Sequence, residues 1–168
     1  MDDTTKNRRS DAVTILATFK DLAARYSSGL KMYTINLHEL DGKDLYSSEV
    51  MDAAREAAQR WLRLTRVRGW WKLERGRNGR THLHIVTSAD AAPGGKDVDD
   101  PEGLAEYLAK PADARACMPR LDDKQRFTPQ ELWEQKCVAA EAYLVAREGL
   151  TQGKRVPKSY GSYTPRGL

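Results

Sequence analysis

The sequence predicts one α+β domain with an antiparallel sheet at its centre. Three observations lead there. The 168 residues suit a single domain with a single core. Apolar residues alternate along the chain between helical spacing and short β-rich runs. Two of those runs are separated by a short glycine-bearing turn, which makes them a hairpin and fixes their pairing as antiparallel.

Residues 1–9 are polar and predict a flexible N-terminus, residues 10–150 the folded domain, and residues 151–168 a basic tail or last strand. Ser10 can cap a helix that runs to about Tyr26, with Val13, Leu16, Phe19, Leu22 and Tyr26 near helical spacing; Ser27-Ser28-Gly29 ends it. Residues 32–38, β-rich and short, form the first predicted strand, and Asp41-Gly42 turns the chain. A second helix over residues 48–65 uses Val50, Met51, Ala54, Ala58, Trp61 and Leu62 for the core and sends its arginines elsewhere.

Residues 69–75 and 81–87 are the two arms of the hairpin. A three-residue loop Arg77-Asn78-Gly79, with Gly79 left-handed, joins them and sets a register in which Arg75 faces Thr81. After a flexible loop over residues 91–95, Asp100 and Pro101 supply an N-cap and a first-position proline for a short helix to about Lys110, which Pro111 stops. Thr128-Pro129-Gln130-Glu131 is a capping box for a long helix to about Glu148, with Gly149 as its end cap. The order strand, helix, strand, strand, helix is that of a ferredoxin-like, RRM-like fold: a central antiparallel sheet with flanking helices, all on one face.

Composition narrows the function. Nothing approaches eighteen consecutive apolar residues, and the acidic start Met1-Asp2-Asp3 lacks the apolar stretch of a secretory signal, so the chain reads as cytoplasmic with no membrane partner. Its two cysteines, Cys117 and Cys137, indicate neither a disulfide framework nor a zinc site. Between Arg55 and Arg80 stand nine basic residues and two acids, an excess larger than the whole chain's +4. Such a block is what a phosphate-backbone contact needs.

Two of the three histidines form His82-Leu83-His84. Residues two apart in a strand share a face, so both imidazoles project together while Leu83 and Ile85 pack behind. In the hairpin register Glu74 lies opposite His82 and Lys72 opposite His84, and paired residues share a face. A carboxylate beside two imidazoles makes a mixed N/O site suited to Mn²⁺ or Mg²⁺, one that Zn²⁺ would also bind. On the short helix, Gly103, Tyr107 and Lys110 fall on one stripe and Leu104 and Leu108 on the neighbouring apolar one. Lys110 beside Tyr107 can neutralise a phosphodiester oxygen and favour tyrosinate, and Gly103 leaves room for a nucleic-acid backbone.

Taken together, these segments resemble the HUH endonuclease superfamily, and within it the rolling-circle replication initiators of plasmids and phages. The matching pieces are the hydrophobic strand over residues 33–37, His82-Leu83-His84, and the Tyr-x-x-Lys helix from Tyr107 to Lys110, with residues 107–113 (YLAKPAD) especially similar to initiator sequences. Residues 69–74 resemble the strand that supplies the family's third metal ligand. One departure is that Gly103 stands where some initiators place a water-activating glutamate; Glu102 and Glu106 are nearby. Gly94-Gly95-Lys96 is followed by Asp97, so no phosphate-binding helicase motif is attached.

The resemblance implies a site-specific single-strand DNA nicking and joining enzyme. Glu74, His82 and His84 would hold the divalent metal, Tyr107 would be the nucleophile of a 5′-phosphotyrosine intermediate, and Lys110 would steady the charge. Its partners would be single-stranded origin DNA and a host helicase. Arg63, Arg66, Lys72, Arg75, Arg77 and Arg80 would hold the strand, with Trp70 or Trp71 stacking on bases or packing in the core. A relaxase or single-strand transposase would share this chemistry, whereas a non-catalytic basic nucleic-acid-binding module would show salt-dependent binding alone.

Overall fold

A computed structural model describes residues 3–76, 79–109 and 159–168. The elements are α1 (Asp3–Arg25), β1 (Leu30–Asn36), a 3₁₀ turn (His38–Leu40), α2 (Ser48–Thr65), β2 (Gly69–Arg75), β3 (Thr81–Ser88), β4 (Lys96–Asp97), α3 (Pro101–Leu108) and β5 (Tyr160–Tyr163). The chain is α+β, and the five strands among the described residues form one antiparallel sheet in the order β4-β1-β3-β2-β5. This arrangement is compatible with a ferredoxin-like one. Among the described residues, no helix is long and apolar enough to cross a membrane. The helix expected over residues 128–148 lies outside the described residues, as do Arg77 and Lys110.

The hairpin follows the loop chemistry closely. Gly76 N–H donates to Arg80 C=O at 2.9 Å, Gly79 N–H to Gly76 C=O at 3.0 Å, and Gly79 has a φ of +76°. Closing the turn there sets the ladder Arg75↔Thr81, Glu74↔His82, Lys72↔His84 and Trp70↔Val86. The register deduced from a three-residue loop is the one observed.

The sheet is covered on both faces, not one. On one side Tyr33, Trp71, Leu73, Leu83 and Ile85 meet Val50, Met51, Ala54, Ala58 and Leu62 of α2. On the other, Leu30, Trp70 and Val86 meet Ile15, Phe19 and Leu22 of α1 and Ala105 and Leu108 of α3. Adjacent Trp70 and Trp71 already carried the signal: a strand with one wet face alternates, whereas β2 is buried through six consecutive residues. Both tryptophans are therefore core, and neither is available for base stacking. Trp70 packs edge-on against Phe19 with ring centroids 5.3 Å apart.

Two boundaries shift and one further strand appears. Helix α1 starts at Asp3 instead of at a Ser10 cap. No glycine or proline interrupts residues 3–10. Strand β1 lies two residues earlier than expected, leaving His38 in the 3₁₀ turn. The two-residue edge strand β4 was unforeseen, since two exposed polar residues carry no periodicity. The tail resolves in favour of a last strand, with β5 pairing along β2 from Gly69↔Tyr163 to Lys72↔Tyr160.

Candidate metal centre

The even-numbered residues of β1, β2 and β3 share the face that α1 and α3 cover, and toward its hairpin end that face turns polar. His82 and His84 stand beside each other on β3 with ring centroids 4.6 Å apart. Glu74, opposite His82, is buried and places Oε1 3.0 Å from His84 Nε2 and 3.8 Å from His82 Nε2. One ligand atom from each of the three residues lies within 4.8 Å of the others. Two imidazoles and one carboxylate, with one ligand atom from each close to the others, are a donor set that a divalent cation accepts. The residues present fit a metal ion.

Two neighbours orient this set. Thr34 Oγ1 on β1, paired with His84, lies 3.1 Å from His84 Nδ1 and turns the ring so that Nε2 faces Glu74. The second is Lys72, which the sequence placed on the DNA surface. It is instead buried, 1% exposed, with Nζ 3.5 Å from Glu74 Oε2 and donating to the Leu108 carbonyl. A lysine on a sheet face that a helix covers cannot reach solvent, so it pairs with the nearest carboxylate.

The strand entering the site is pinned at its start. Thr81 N–H donates to Asp41 Oδ1 at 2.6 Å, and Leu37 N–H donates to Thr81 C=O at 2.9 Å. Arg75 Nη2 donates to the carbonyls of Leu40 at 3.0 Å and Lys43 at 2.7 Å. Its guanidinium thus ties the hairpin to the 3₁₀ turn, a structural role that the sequence did not suggest. The Thr81 amide holds the Asp41 carboxyl below its ordinary value of 3.8, with His38 adding to the effect. A depressed carboxyl contributes stability above its unfolded value and loses it as pH falls through the folded one. Asp41→Asn should therefore lower stability at neutral pH, and the gap to wild type should close as pH drops below about 4. Urea unfolding from neutral pH to about pH 3 would measure it; a gap that stays constant would mean that Asp41 acts through packing alone.

Helix α3 docks on the same sheet face. The Asp100 carboxylate accepts from Gly103 N–H at 3.0 Å, and Pro101 occupies the first turn, as expected. Gly103 has a local reason besides the one read from the sequence: a Cβ there would collide with the capping carboxylate of Asp100. The buried stripe is Ala105 and Leu108, with Leu104 only half-buried. Tyr107 is half-buried against the cluster of Trp70, Val86 and α1. Glu102 and Glu106 are exposed.

The remaining basic residues divide. Arg80 is exposed at the hairpin tip, two residues from His82. Arg63 and Arg66 are exposed at the C-terminal end of α2, on the opposite face of the sheet from Glu74, His82 and His84. Arg66 adopts a left-handed cap conformation, φ +57°, that ends α2. The sheet therefore lies between these two arginines and the Glu74, His82 and His84 cluster. His38, the third histidine, is exposed and 3.6 Å from Asp41, apart from the other two.

No protein-family model, curated protein or solved structure matches the chain.

Proposed function

We propose that this protein nicks and rejoins single-stranded DNA through Tyr107, as a rolling-circle replication initiator of the HUH type. The observation that supports it most is Glu74 standing in register beside His82 and His84 on the sheet face where the tyrosine-bearing helix docks. A basic nucleic-acid module has no use for a buried carboxylate between two imidazoles, whereas a phosphodiester-cleaving centre does.

Glu74, His82 and His84 would hold Mn²⁺ or Mg²⁺, which when bound supplies Lewis-acid polarisation of the scissile phosphate. The Tyr107 phenol loses its proton to solvent, and its oxygen attacks phosphorus in line. The bond from phosphorus to the 3′ oxygen breaks, that oxygen leaves as a hydroxyl after taking up a proton, and the 5′ phosphate stays on tyrosine. Attack by a free 3′-OH runs the same step backwards and rejoins the strand. Lys110 balances charge on the phosphate or tyrosinate. Glu106 and Glu102, exposed on the same helix, are the carboxylates within reach of a water when the cycle ends by hydrolysis. Arg80, together with Arg77, would grip the strand's backbone at the hairpin tip, and Arg63 and Arg66 would meet a different stretch of nucleic acid.

The test is a randomised single-stranded DNA library incubated with the protein and Mn²⁺, then resolved on a denaturing gel. A slower covalent species should appear with Mn²⁺ and vanish with EDTA. Salt-sensitive binding with no covalent species under any metal would instead support the non-catalytic module.

A further inference from the structure

Lys72 lies on the same sheet face as Glu74, His82 and His84, and neither the metal nor the nucleophile accounts for its role. It is 1% exposed. Its ammonium reaches two things at once: Glu74 Oε2 at 3.5 Å and the carbonyl of Leu108, the last residue of α3. Glu74 turns its other oxygen, Oε1, toward the imidazoles. The carbonyls at a helix C-terminus lack intrahelical partners and sit at the negative end of the dipole, so a cation there both satisfies and attracts them. Leu108 directly follows Tyr107. A continuous polar path therefore runs from His84 through Glu74 and Lys72 to the backbone beside the tyrosine.

We propose that Lys72 is a positioning residue that couples the metal centre to the helix carrying Tyr107. Resting on the reading above, it deepens that reading: the ammonium fixes which carboxylate oxygen faces the imidazoles and anchors the end of α3 to the same carboxylate. When Glu74 takes a cation, its share of the Lys72 interaction changes, and the Leu108 carbonyl senses the change through Lys72. The helix that must present the nucleophile is in this way informed of whether the metal is in place. An ordinary core lysine would stabilise α3 equally with and without the ion.

Amide hydrogen exchange of the full chain, with and without Mn²⁺, reads this directly. In wild type, Mn²⁺ at saturation by calorimetry should change exchange across residues 105–109 several-fold. In Lys72→Met, which keeps the stem and removes the ammonium, Mn²⁺ should still bind while exchange across residues 105–109 no longer responds; Lys72→Arg should restore part of the response. Covalent-adduct yield should follow the same order. Equal metal responses in wild type and Lys72→Met would overturn the coupling, as would a wild-type helix indifferent to bound Mn²⁺. The wild-type arm stands even if Lys72→Met fails to fold. Wild type that binds no Mn²⁺ would overturn the metal centre and the coupling with it. An intact exchange response without any DNA adduct would uphold the coupling and sink only the nicking reaction.

Discussion

Replacing His84 with alanine should lower Mn²⁺ affinity by more than about 100-fold, while His38→Ala leaves it unchanged. The size follows from what His84 does. Its Nε2 lies 3.0 Å from Glu74 Oε1 and its Nδ1 3.1 Å from Thr34 Oγ1, so one ring would supply a ligand and receives the contact that orients it. Even partners that merely orient a ligand are commonly worth ~10–100-fold in affinity, and losing the ligand itself should exceed that. Without His84, Glu74 and His82 remain with Oε1 and Nε2 3.8 Å apart, a two-ligand remnant. His38 is the control that separates ligation from general histidine affinity, because it is exposed and paired with Asp41 at 3.6 Å. Calorimetry on the three proteins decides the matter. Unaltered binding in His84→Ala would place the ion elsewhere.

That prediction was reachable from the sequence because a hairpin is a register device. Once Gly79 takes a left-handed conformation in a three-residue loop, every cross-strand pair is fixed, and an acid five positions before Gly79 must land opposite His82. The helix caps at Asp100 and Pro101 were legible for the same reason, since each is a local rule about orphaned backbone groups. What long-range packing decides was not legible. Lys72 and Arg75 sit in a basic run and read as surface, yet the covering of both sheet faces buries the first, and the 3₁₀ turn captures the second. Charge counted along a chain says nothing about which face each residue joins. Arg63 and Arg66 therefore joined His82 and His84 in one run of sequence while the fold sets a sheet between them. The alternation that β2 lacks was the available warning.

Tyr107→Phe should abolish the covalent DNA adduct while Mn²⁺ affinity and single-strand binding persist. Phenylalanine keeps the ring that packs, half-buried, against the cluster of Trp70, Val86 and α1, so the helix retains its docking. Only the hydroxyl oxygen is lost, and in the proposed reaction that oxygen forms the bond to phosphorus. Removing the nucleophile from an enzyme that works through a covalent intermediate can cost on the order of 10⁶ in rate. No background route to a protein–DNA bond then competes, and the band should disappear instead of fading. Glu74→Gln makes the instructive comparison: it leaves the phenol in place and weakens the metal centre, so its adduct should return as Mn²⁺ is raised, whereas no metal concentration can rescue Tyr107→Phe. Peptide mapping of the wild-type adduct completes the argument by locating the linkage. A nucleotide found on any other tyrosine, or a band that survives Tyr107→Phe, would take the nucleophile away from α3 and leave the metal face without the reaction assigned to it.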